Sequence, residues 1–209
     1  RGFPRLSWHE AVERYGIDPP DLRFGLVLED FTAHVAEDAA PFVHEALAAG
    51  GRLRGIRMPH GAWLSRKEID ALAALAKDQG AGGLLWAKRA AEWEGQGVKA
   101  FGAGTLAGIG GAEGDLVVAV TGPDKVAAPA LHAVRTALGR RPDVPRVQDH
   151  AFCWVVDFPL FEKDAETGLD VPAHHPFTSP HPEDVAFLET EPSRCRALHY
   201  DAVYNGNEL

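Results

Sequence analysis

Two groups of residues have the types and spacing to do chemistry. The first is His174-His175 within HHPFTSP, residues 174–180. Adjacent imidazoles on extended or turn backbone point in different directions, so one can face a ligand while the other packs inward. An imidazole donates to a carboxylate or, protonated, offsets an anion, whereas a zinc site wants three or four ligands at recognisable spacing. On the residues alone, a pair of structural loop histidines is an equal alternative. The second group is Asp201 and Glu208 around Asn205-Gly206. Asn-Gly favours a two-residue hairpin turn with left-handed backbone at both positions. Tyr204 would then pair with Asn207 and Val203 with Glu208, and the period of two puts Asp201 on the face of Val203. Asp201 and Glu208 become diagonal neighbours with Cβ atoms about 7 Å apart or less, within reach of one hard cation and its phosphate ligand. Two solvated acids on an exposed hairpin are the competing reading. A mononuclear hydrolase built from His174, His175, Asp201 and Glu208 lacks an activated nucleophile and a further ligand motif.

Other features carry less. Gly102 to Gly108 has glycine density without the Lys-Ser/Thr end of a phosphate loop, and a flexible loop is expected there. Arg52, Arg54, Arg57, Arg66 and Lys67 near Trp63 offer a modest basic face that ordinary domain surface explains as well. Cys153 lies in an apolar strand and is expected to be an inert buried thiol.

The elements that position these residues follow from pattern. Ser7 with Glu10 is a capping box opening a helix from Trp8 to Tyr15, stopped by Gly16. Residues 22–28 resemble a strand, and a helix is expected over 38–49 with Phe42, Val43 and Leu47 toward one side. Leu53 to Met58 is a strand. Ser65 with Glu68 is a second capping box, feeding an apolar stripe of Ile69, Leu72, Leu75 and Ala76. Strands are expected at 84–87, 98–101 and 116–120, a helix at 126–138, and a further strand at 152–156. Six prolines between Pro159 and Pro192, Pro176 among them, leave little room for long elements beyond. Helices separated by strand pairs indicate an α+β fold: a two-layer domain with helices on one side of a mainly antiparallel sheet.

The chain has 209 residues, a formal charge of −9 and 45% hydrophobic residues, with 5 Trp and 10 Phe, enough for a sizeable core rather than a solvated charged chain. The acidic total argues against a wholesale basic wrap around nucleic acid. Two cysteines supply no disulfide framework, and the apolar runs are too short for a spanning helix or signal peptide, so a soluble cytoplasmic protein is expected. The chain opens on Arg1-Gly2 and closes on Leu209 just after a turn starts a strand, which suggests a segment of a longer polypeptide.

Taken together and in order, several stretches closely resemble bacterial aspartyl-tRNA synthetases over essentially the whole chain. They are Arg14-Tyr15-Gly16, residues 20–26 (PDLRFGL), residues 64–68 (LSRKE), residues 152–161 (FCWVVDFPLF), HHPFTSP, and Tyr200-Asp201 with Asn205-Gly206 and Glu208. The resemblance implies a class II catalytic domain built on an antiparallel sheet and interrupted by a GAD insertion domain. Residues 1–30 would enter the insertion, 31–145 would form it, and 146–209 would resume the catalytic domain. His174 matches a histidine at the aspartate site and His175 its neighbour, both substrate-binding. Asp201 and Glu208 match acids that bind magnesium and ATP. No residue of the chain is assigned a catalytic role. The implied reaction joins aspartate to ATP, giving aspartyl-adenylate and pyrophosphate, then transfers aspartate to tRNA in a homodimeric parent enzyme.

The family's arginine motifs for ATP and aspartate, its dimer motif and its anticodon-reading domain have no counterpart in the chain. The segment alone is therefore expected to be inactive and monomeric. The alternative is an isolated, non-catalytic insertion module with an interaction or structural role. Asn207 stands where the family commonly has Tyr, and Ala173 where Met is common, which bears on the pocket wall more than on kinship.

Overall fold

The computed structural model describes residues 2–164, 166–175 and 177–209. Arg1 and Pro176, both used above, lie outside the described residues. The chain divides into two compact units, Arg1–Val12 with Asp18–Leu22 and Asp149–Leu209, and Glu13–Ile17 with Arg23–Gln148.

The first unit carries a four-stranded sheet. Strand β1 (Arg5–Ser7) leads directly into α1 (Trp8–Tyr15), whose start is the expected capping box: the Ser7 amide donates to Glu10 Oε2 at 2.9 Å and the Glu10 amide to Ser7 Oγ at 3.1 Å.

The second unit supplies the strands that follow: β2 (Glu29–Asp30), β3 (Arg52–Met58), β4 (Leu85–Arg89), β5 (Trp93–Glu94) and β6 (Leu116–Gly122). They form one antiparallel sheet in the order β2-β3-β6-β4-β5. Its helices are α2 (Pro41–Ala48), α3 (Arg66–Asp78), α4 (Val98–Phe101), α5 (Ala103–Ile109) and α6 (Asp124–Gly139). The alternation of β6 sorts its side chains. Leu116, Val118 and Val120 join Ile56 and Met58 under Ile69, Leu72 and Ala76 of α3 and Leu131, Val134 and Leu138 of α6. Val117 and Ala119 face the other way, with Leu53, Phe31 and the Phe101, Leu106 and Ile109 of α4 and α5. The expected α+β sheet and helix layer are present, and the opposite face carries short helices as well.

Five local expectations are corrected. Residues 22–28 are extended but form no ladder, since a buried arginine takes their carbonyls: Arg135 Nε donates to Leu26 O at 2.6 Å, and only an isolated bridge links Phe24 to Arg146. Residues 98–101 are helical, not a strand, with the Gly97 carbonyl accepting from the amides of Ala100 and Phe101. Gly102–Gly108 lies largely in helix α5, and its glycines serve close packing rather than flexibility. A Cβ at Gly104 would lie 2.7 Å from Ala36 Cβ, and one at Gly108 3.1 Å from His34 Cβ. In α2, Val43 is buried but Phe42 is 46% exposed, and in α3 Leu75 is also exposed.

The basic face dissolves into ion pairs. Arg52 meets Glu13, Asp30 and Asp124, Arg57 meets Glu29 at 2.9 Å, Arg66 meets Asp70 at 2.8 Å, and Arg54 is 1% exposed beside Glu13 and Asp124.

The first unit resumes at β7 (Phe152–Val156), followed by the small hairpin β8 (Phe161–Lys163) and β9 (Asp170–Pro172), then by β10 (Tyr200–Tyr204) and β11 (Asn207–Glu208). The sheet order is β1-β7-β10-β11, with β1 parallel to β7 and the remaining pairs antiparallel. Leu6, Cys153, Val155 and Val203 form its buried centre. Burial pushes the Cys153 thiol up to about 11, as befits an inert packing residue. Among the described residues, no helix is long and apolar enough to cross a membrane.

Candidate functional site

The site is built on β10 and on the segments paired to the residues that precede it. The β10–β11 hairpin has the register expected from Asn-Gly: Val203 opposes Glu208 and Tyr204 opposes Asn207. Asn205 and Gly206 take φ of 51° and 80°, the left-handed pair that this turn demands. Asn205 is also clamped to the end of β7. Its amide donates to Ala151 O at 2.9 Å, and its Oδ1 accepts from the Ala151 amide at 2.9 Å. Asp201 and Glu208 are therefore diagonal residues on one face of the sheet. Asp201 opposes Val155 on the inner strand and Glu208 is exposed on the edge.

Beyond Val156 the chain turns sharply at Asp157, whose φ is 58°. Phe158 follows, 3% exposed, and bridges to the residues before β10: the Ala197 amide donates to Phe158 O at 2.7 Å and the Leu160 amide to Cys195 O at 2.8 Å. Asp184 closes the same region. It accepts from the Arg196 amide at 2.9 Å and from Arg196 Nε at 2.8 Å, and the guanidinium holds its carboxyl at about 2.

On this frame the two adjacent histidines diverge. His174 is partly buried and stacks on His199, with ring centroids 4.4 Å apart and planes 14° from parallel. Phe158 sets its ring edge-on to both, 5.5 Å from His174 and 4.6 Å from His199. Burial pushes the His174 imidazole below its usual value and the adjacent His199 adds to this. The Pro159 backbone and the acids Asp201 and Glu162 oppose it. His174 Nε2 is buried with no hydrogen-bond partner among the described residues. His175 is exposed instead. Its Nδ1 accepts from the Phe177 amide at 3.3 Å and its ring lies 4.7 Å from Phe177.

The sequence reading missed His199. Its Nε2 lies 3.0 Å from Asp201 Oδ1, so Asp201, His199 and His174 form one chain of contacts. The period of two that joins Asp201 to Val203 also runs backward to His199, and that was the available signal. His199 further lines a cleft of about 600 Å³ with Arg5, Trp154, Asp157, His181 and Tyr200. Among the described residues no three His, Cys, Asp or Glu side chains gather to cage a metal. Magnesium does not need such a cage, because it keeps several waters and takes one or two carboxylates together with substrate phosphates. Asp201 and Glu208 on one face fit that mode.

Residues 1–209 match the family described as tRNA synthetases class II (D, K and N). The chain is 39% identical over 212 residues to "Aspartate--tRNA(Asp/Asn) ligase" of Natranaerobius thermophilus, covering 99% of this chain and 36% of that protein. Against the protein of the same name from Moorella thermoacetica the figures are 42%, 99% and 35%. "Aspartate--tRNA ligase" of Geobacillus kaustophilus is 41% identical over 215 residues, covering 100% of this chain and 36% of the relative. The chain thus spans about a third of the length of these relatives. With a family match running from its first residue to its last and relatives of this identity, the chain belongs to the class II tRNA synthetases of the D, K and N group and is homologous to part of an aspartate–tRNA ligase.

Proposed function

We propose that the chain is the part of an aspartate–tRNA ligase that carries one side of the aspartate and ATP sites, and that it works only with the rest of the enzyme. The observation that carries this reading is the β10–β11 register. It sets two carboxylates on one face beside an imidazole pair, within a chain homologous to such ligases along its whole length. In this reading, residues 31–145 are a GAD insertion, and residues 1–30 and 146–209 belong to the catalytic domain.

His174, with a buried nitrogen that has no hydrogen-bond partner among the described residues, would meet a carboxylate of aspartate, and His175 would flank it. Asp201 and Glu208 would hold Mg2+ shared with the phosphates of ATP. The metal, when bound, neutralises phosphate charge as aspartyl-adenylate and pyrophosphate form. The chain's own residues orient the two substrates, and the low basicity of His174 keeps it a neutral hydrogen-bonding group near neutral pH. Transfer to tRNA follows in the complete protein, for which we propose a homodimer in the cytoplasm.

The test is calorimetry of aspartate and Mg-dependent ATP binding, with pyrophosphate exchange, on this chain and on the full-length polypeptide that contains it. Exchange by the full-length protein alone is expected. Asp201→Asn or Glu208→Gln should weaken ATP binding, and His174→Gln should weaken aspartate binding. Exchange by the 209-residue chain alone, or full-length substitutions without effect, would overturn the reading.

A further inference from the structure

His199 contacts both His174 and Asp201 of the proposed site, and it uses a different part of its ring for each. Its face stacks on His174 at 4.4 Å, and its Nε2 meets Asp201 Oδ1 at 3.0 Å. Phe158, 3% exposed, abuts both imidazoles edge-on and leaves the pair little freedom to slide. Asp201 is only 15% exposed at its side chain, which limits the water that can compete for its contact with His199. A His174 ring without this neighbour would keep one aromatic contact, to Phe158. An Asp201 carboxylate without it would lose its 3.0 Å contact with an imidazole nitrogen.

We infer that His199 is a positioning residue of the site, holding the His174 ring through its face and the Asp201 carboxylate through its edge. It thereby sets the aspartate side and the ATP side together. The inference rests on the ligase reading above, and it assigns a role to a residue to which that reading gave none.

The two contacts can be removed one at a time. In the full-length polypeptide, His199→Ala removes both and is expected to raise KM for aspartate and KM for ATP, each by about two- to tenfold, the range expected for one aromatic pair or one contact of this kind. His199→Phe keeps the ring face and loses the nitrogen, so it should restore KM for aspartate but not for ATP. His199→Gln keeps a donor and loses the ring, so it should do the reverse. A merely structural role would move the two constants together in all three variants, and that result, or no change in His199→Ala, would overturn the inference.

A second readout does not depend on activity. In the 209-residue chain, the ring-proton resonances of His174 should move toward their unfolded positions in His199→Gln, which removes the stacked ring, and remain displaced from them in His199→Phe, which keeps one. Equal shifts in both variants, or none in either, would also overturn it. Failure of the ligase reading looks different: the full-length polypeptide would then show no aspartate-dependent pyrophosphate exchange, or exchange that His174→Gln and Asp201→Asn leave unchanged, while the resonance test still decides whether His199 holds the His174 ring.

Discussion

The imidazole of His174 lies flat against that of His199, 4.4 Å between centroids, and the two rings share one phenylalanine edge. Stacking on a second imidazole while partly buried makes a positive charge on His174 costly. Its titration midpoint, followed by NMR, is expected below the ordinary histidine value of about 6.5. The folded form then binds fewer protons than the unfolded chain, so the contribution of His174 to stability is complete above that ordinary value. It is lost as pH falls through the depressed folded one. A midpoint at or above the ordinary value would contradict the buried stack.

Asp184 gives a second pH dependence in the first unit. Arg196 holds its carboxyl at about 2, so the stabilisation is fully present above the unfolded value of about 4 and disappears as pH falls from there toward 2. Asp184→Asn should flatten the dependence of Tm on pH across that window. It should also lower Tm at neutral pH, since Arg196 would lose one of its two charged acceptors and keep only Glu183. An unaltered acid slope in the variant would argue against the pairing.

The hairpin that brings Asp201 and Glu208 to one face depends on Gly206. Its φ of 80° is strained for any side chain, and an added Cβ would lie 2.9 Å from Asp21 Cβ. Gly206→Ala is expected to cost about 1 kcal/mol or more in urea unfolding. Asn205→Ala should also destabilise, by roughly 1 kcal/mol or more, through loss of the Oδ1 acceptor for the Ala151 amide.

Helix α5 tests whether glycine density there means packing. Gly104→Ala places a methyl 2.7 Å from Ala36 Cβ, whereas Gly110→Ala meets nothing within 4 Å and differs only in its φ of 69°. Gly104→Ala is expected to expose amides of residues 103–109 to hydrogen exchange despite alanine's better helix propensity. Slower exchange in that variant would mean the close approach is absent.

Local chemistry was sufficient to specify much of this protein. Both capping boxes, the Asn-Gly turn with its register, and strands β3, β4, β6, β7 and β10 depend on contacts within a few residues or on a period of two. Such signals survive in a bare sequence. From them the facing of Asp201 and Glu208 followed. Residues 22–28, Gly102–Gly108 and His199 depended on partners far along the chain. Arg135 takes the carbonyl that would have joined a ladder, and Ala36 and His34 accept the close approach of glycines that otherwise look like a loop. His174 meets His199 across 25 positions because Phe158 and the carbonyls around it bring two loop segments together. Contacts of that separation are set by packing of the completed fold: the period of two reaches from Asp201 to His199, but not across to His174.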